Sequence, residues 1–145
     1  MSDGWQFFSD LVRAETRLFN QLDARVRAGH DGLSLGQFQL LELIATTPDC
    51  RVSDIVASMD IGVGTASKAV DRLEAAGLCR RASNPHDRRS SILALTAPGE
   101  RAYAAAAPTV NAVIAERVQG IAADDLATTA RVMSRLRTVL EELSR

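Results

Sequence analysis

A chain of 145 residues with 46% hydrophobic and 24% charged side chains has the profile of one ordinary globular domain, which excludes disordered, collagen-like and fibrous classes. No window approaches about eighteen consecutive apolar residues, and the N-terminus has no basic stretch followed by an apolar core, so the expectation is a cytoplasmic product with no membrane association. Two cysteines, Cys50 and Cys79, are too few for a disulfide framework, and a net charge of −1 argues against a uniformly basic nucleic-acid coat.

From Trp5 to Val26, apolar residues recur in steps of three and four (Trp5, Phe8, Leu11, Val12, Leu18, Phe19, Leu22, Val26), which predicts one long helix ended by Gly29 to Gly32. Ser34 and Gln37 have capping-box spacing and open a second helix carrying Phe38, Leu41 and Ile44, closed by Thr46, Thr47 and Pro48. A short third helix runs from about Ser53 to Met59. After the break at Asp60, Ile61 and Gly62, the fourth spans Val63 to Ala76, with Ala66, Val70 and Leu73 inward and Gly77 as its stop. The period then changes to two: Leu78 to Ser83 and Ser91 to Thr96 flank the polar tip Asn84, Pro85, His86 and Asp87, a hairpin signal. Thr96 can cap a fifth helix holding Tyr103, Val110, Ile114, Val118 and Ile121, with a kink expected at Ala104 to Pro108. Asp124 and Asp125 open a last helix striped by Leu126, Met133, Leu136, Leu140 and Leu143.

Residues 62–92 hold Lys68, Arg72, Arg80, Arg81, Arg88 and Arg89 against Asp71, Glu74 and Asp87, an excess of +3 set against −4 elsewhere. The element order there is three helices and a hairpin, that of a winged helix-turn-helix. In that arrangement the third helix of the group enters the major groove and the hairpin reaches the backbone or the adjoining minor groove. Thr65, Ser67, Lys68 and Arg72 offer donors on the fourth helix, while Gly62 and Gly64 permit close approach of a phosphate. The tip offers Asp87, Arg88 and Arg89, with Asp87 placed to hold an arginine side chain by a bidentate contact. Of Arg80 and Arg81, one is expected to face phosphate and the other solvent or an acidic neighbour. Either Asp71 or Arg72 is available for a salt bridge that braces the wing.

The flanking helices carry more apolar surface than a DNA-binding unit needs, and a second copy of the chain is the simplest cover. The expected organisation is an N-terminal dimerisation helix (1–33), a winged helix-turn-helix DNA-binding region (34–97) and C-terminal dimerisation helices (98–145), intertwined as one domain. The fold class is mainly α with a small β-hairpin wing. A two-fold dimer implies double-stranded DNA with a palindromic operator whose half-sites lie about one helical turn (~10 bp) apart.

The segments GTASKAVDRLEAAGL (64–78) and NPHDRRSSILALTAPG (84–99) resemble the recognition helix and wing of the MarR family of transcriptional regulators, and the similarity extends over essentially the whole chain. The resemblance implies a homodimeric repressor, less often an activator, with a pocket between its dimerisation helices and DNA-binding lobe. A small-molecule effector, often a phenolic or other lipophilic anion, would alter the separation of the recognition helices. By position, Asp87 and Arg89 match the pair that directs an arginine into the minor groove. Gly64, Thr65, Ser67, Lys68, Arg72 and Arg88 complete the set of expected DNA-binding residues. The chain departs from the peroxide-sensing branch, which has a reactive cysteine in the first helix; neither Cys50 nor Cys79 matches it.

His30 and His86 have no Cys or His partner at ligand spacing, so no metal is expected, and no cofactor. His86 is read as a wing-tip residue near phosphate. Trp5, Phe8, Phe19 and Phe38 read as core, dimer interface or effector-pocket lining. No nucleophile, base and orienting residue form a constellation, so the chain is not expected to be an enzyme. The alternative function is a winged-helix protein-interaction module, an anti-regulator that does not bind DNA.

Overall fold

A computed structural model describes residues 2–144. The elements are α1 (Asp3–Gly29), α2 (Leu35–Thr46), α3 (Val52–Met59), α4 (Val63–Ala75), β1 (Cys79–Ser83), β2 (Ser91–Leu95), α5 (Ala97–Val118) and α6 (Ala123–Leu143). The fold is therefore mainly α with one two-stranded antiparallel hairpin.

Local chemistry sets most of the boundaries. The Ser2 side chain caps α1, and the chain leaves it through Asp31 and Gly32, both at positive φ. At α2 the capping box is closed in both directions: Ser34 Oγ accepts from the Gln37 N–H and Gln37 Oε1 accepts from the Ser34 N–H, each at 3.0 Å. Asp23 on α1 adds a third bond, its carboxylate accepting from the Leu35 N–H at 2.8 Å and from Arg27 Nε at 2.8 Å. Those donors, the Leu35 amide foremost, hold the Asp23 carboxyl below the ordinary value of 3.8. The Asp54 carboxylate accepts from the Arg51 N–H at 2.8 Å to start α3, which ends at Asp60 in the left-handed region. Gly77, at φ 75°, ends α4, and the Leu78 N–H returns to the Leu73 carbonyl.

The strands pair from Cys79 opposite Leu95 to Ser83 opposite Ser91. The Leu93 N–H also donates to the Cys50 carbonyl at 2.7 Å, so the loop before α3 lies along β2. At the base of the hairpin, the Thr96 N–H donates to the Leu78 carbonyl and its hydroxyl to the Gly77 carbonyl, while Thr96 Oγ1 accepts from the Gly99 N–H at 3.1 Å. A Cβ added at Gly99 would overlap the Leu78 carbonyl, so this close approach requires glycine.

The chain divides into two compact units, Met1–Asn111 and Ala112–Arg145. In the first, Val26, Leu33, Leu35, Phe38, Leu41, Ile44, Ile55, Ala66, Val70, Leu73, Cys79 and Leu93 are buried around α2. Phe38 stacks on Tyr103 with ring centroids 5.6 Å apart, and His30 Nε2 lies 2.8 Å from Thr109 Oγ1. These contacts tie α5 to α2 and to the end of α1. In the second unit α6 has no buried residue. Helix α5 is continuous through Pro108. It ends at Val118, so Ile121, expected on its stripe, lies instead in the turn before α6, half exposed. No described helix is long and apolar enough to cross a membrane.

Candidate nucleic-acid interface

Helix α4 has two unlike sides. Ala66, Val70 and Leu73, each without exposed surface, face the core, as their spacing predicts. Thr65, Lys68 and Arg72 are exposed and fall three and four residues apart on the opposite face, with Ser67 half-buried beside them. At Gly62 and Gly64 an added Cβ would meet no atom within 4 Å. The protein's own packing therefore makes no demand for glycine there, and the start of α4 is open for an external group to approach its backbone. Val63, at the first helical position, is 64% exposed. That exposure leaves an apolar group beside the donors, which the helical spacing of α4 did not single out.

The wing tip is built around Asn84, a buried polar residue. Its Nδ2 donates to Ser90 Oγ at 3.1 Å and its Oδ1 accepts from the His86 N–H at 3.0 Å, an Asx turn that shapes the tip. Sequence reasoning passed over this anchor, although an Asn-Pro pair at the head of a loop is its signal. Asp87, Arg88 and Arg89 are all exposed. Asp87 was expected to hold an arginine side chain; instead Asp87 Oδ1 accepts from the backbone N–H of Arg89 at 2.9 Å. An amide two residues on is within reach without ordering a long side chain, so the aspartate shapes the backbone. Both guanidinium groups are left projecting, with no ion pair among the described residues.

Of the two arginines of β1, one meets acidic neighbours as expected. Arg81 faces the acidic neighbours: Nη2 lies 2.8 Å from Asp71 Oδ1 and Nη1 3.1 Å from Glu74 Oε1, while its backbone N–H donates to Glu74 Oε2 at 3.1 Å. Asp71, not Arg72, therefore makes the bridge between α4 and the wing, and Arg72 stays exposed beside Lys68. Arg80 points the other way, into a cleft of about 480 Å³ with Ile44, Asp49, Ile92, Glu100 and Tyr103. The α4 donors and the tip arginines thus share one support, since β1 packs directly on α4. That support presents Lys68, Arg72, Arg88 and Arg89 to solvent without internal partners among the described residues.

Neither cysteine belongs to this surface. Both are buried, and burial pushes each thiol up to about 11, aided by Asp54 at Cys50 and by Glu74 at Cys79. Among the described residues no cluster of His, Cys, Asp and Glu could hold a metal ion.

A family model described as the MarR family matches residues 33–91, from the loop before α2 to the first residue of β2. A protein of Thauera aromatica named for transcriptional regulation of the hcr operon is 34% identical over 94 residues, 65% of this chain but 56% of that protein's own length. The transcriptional regulator HosA of Escherichia coli O111:H- is 31% identical over 97 residues, covering 67% of this chain and 72% of HosA. Among solved structures, the transcriptional repressor CouR bound to a 23-mer DNA duplex superimposes with a TM-score of 0.74 at 30% identity, over 90% of this chain and 89% of that one.

Proposed function

Because this chain belongs to the MarR family, which makes it a transcriptional regulator and not an enzyme, we propose that it is a homodimeric repressor that binds a palindromic operator. Helix α4 lies in the major groove of each half-site, with Gly64, Thr65, Ser67, Lys68 and Arg72 contacting bases and phosphates, and the wing carries Asp87, Arg88 and Arg89 to the minor groove. The observation that carries this reading is the set of exposed cations on α4 and the wing tip, unpaired internally and mounted on one packed support. The chain's overall −1 charge is no obstacle, because phosphate contacts act locally over about 10 Å at moderate salt. The solved DNA complex of CouR supports the same assignment by similarity.

Dimerisation supplies the second recognition helix. Trp5, Phe8 and Val12 on α1 and Val132, Val139, Leu140 and Leu143 on α6 are exposed in one chain, and a second copy would bury them. For the effector, we assign the cleft at Arg80. Its apolar lining and Tyr103 suit an aromatic ring, Arg80 suits an acid group, and Asp49 or Glu100 can accept from a phenolic hydroxyl. A phenolic acid bound there would lower operator occupancy by its differential affinity for the free and DNA-bound protein.

Titration of a duplex recovered by the protein from a randomised pool, at several salt concentrations, tests the reading. A steep log-log dependence is expected, and Arg89→Ala should cost about 1–3 kcal/mol. Failure to retain any duplex would favour the interaction-module alternative.

A further inference from the structure

The charges between α4 and β1 pose a problem that the interface itself does not solve. Asp71 and Glu74 sit on the helix that faces a polyanion, where each carboxylate repels phosphate, and Arg81 is spent internally although its neighbours Lys68, Arg72, Arg80, Arg88 and Arg89 are exposed. We propose that Arg81 is a positioning residue that locks the wing to the recognition helix, so that the two engage one duplex as a rigid pair.

Three contacts build the lock. The guanidinium bridges Asp71 and Glu74, one helical turn apart, at 2.8 and 3.1 Å, and the Arg81 amide donates to the second oxygen of Glu74 at 3.1 Å. The last contact fixes the backbone of β1 itself, so the strand is held as well as its side chain. The Arg81 side chain is 27% exposed but Asp71 and Glu74 are 63% and 43% exposed, so each ion pair alone is weak and the lock rests on the convergence of all three bonds on one residue. A hairpin of two five-residue strands is marginal alone in water, so its direction must be set from outside. Once the direction is set, the minor-groove contact after α4 has docked is intramolecular and pre-organised. Lysine cannot replace Arg81, because a single ammonium lacks the planar fork that reaches two carboxylates.

The inference rests on the reading that α4 and the wing bind DNA, and a double-mutant cycle separates the two. The probe is the duplex that the wild-type protein selects from a randomised pool. In the wild-type background Arg89→Ala should weaken binding about tenfold or more. In the Arg81→Gln background the same change should cost less than about twofold, because an undirected wing no longer delivers Arg89. Arg81→Lys should behave like Arg81→Gln. Equal factors in both backgrounds would overturn the proposal while leaving DNA binding intact; no selected duplex at all would remove the DNA reading and the proposal with it. A second variant, Asp71→Asn with Glu74→Gln, opens the lock from the helix side and stands in if Arg81→Gln misfolds. Charge alone predicts tighter binding there, since two negative groups leave the DNA face. Positioning predicts weaker binding and insensitivity to Arg89→Ala, and a gain in affinity sinks it.

Discussion

The winged region closes its core from its own chain, whereas the terminal helices leave theirs open. Helix α2 buries Leu35, Phe38, Leu40, Leu41 and Ile44 among twelve residues, and α3 and α4 add Ile55, Ala66, Val70 and Leu73. Helix α1, more than twice as long, buries Leu22 and Val26 near its end, and α6 buries nothing. Both carry apolar stripes at the same helical spacing. The difference teaches that amphipathic periodicity records that a face will be covered and is silent on what covers it.

The largest effect that separates the two regions is expected in the closed one. Leu73→Ala removes a side chain with no exposed surface and should lower stability by about 2–5 kcal/mol, read as a shifted urea midpoint. The open region should respond in assembly and not in folding. Val139→Ser with Leu140→Ser, both about half exposed, should weaken self-association by about 1.5–3 kcal/mol per side chain, measured by sedimentation, with the wild-type urea midpoint kept in dilute samples. A dimer of unchanged affinity would place the interface elsewhere.

The joint between the regions is sharpened by Asp23→Asn, which loses the ionic bond from α1 to the start of α2 and should cost about 1 kcal/mol at neutral pH. Since the folded Asp23 carboxyl titrates below 3.8, its stabilisation is complete above that pH and fades as pH falls through the lower folded value. The gap between wild type and variant should therefore close in acid melts. The smallest effect concerns the cysteines. With thiols near 11 and both residues buried, only ~10⁻⁴ of either is thiolate at neutral pH. Iodoacetamide should label neither until denaturant is added, and peroxide should leave duplex affinity unchanged.

What was legible in the sequence was local. The Ser34–Gln37 box, the Gly77 stop and the inward set Ala66, Val70 and Leu73 depend on neighbours within one turn, so spacing alone located them. The exposed donors of α4 followed from the same periodicity, and the exposed tip arginines from the polar run between two strand-like segments. Contacts that needed a second element were harder. Asp71 and Arg72 were equal candidates for the brace until β1 supplied Arg81. Asp87 had both an amide and a guanidinium within reach, and the nearer amide took it. The cleft at Arg80 is assembled from α2, the wing strands and α5, a meeting that no single window of sequence encodes.

The Thr96 hydroxyl and the Gly77 carbonyl, nineteen positions apart, close a loop that contains the entire wing. Together with Gly99 against Leu78, that closure settles where the hairpin starts and returns, and the cost of joining the ends grows only slowly with loop length. Apart from Asn84 and Ser90, the tip residues 84–90 are exposed and carry no share of the core. Descendants of this sequence can therefore alter or lengthen the tip without risking the fold, while Gly99 has almost no freedom to drift.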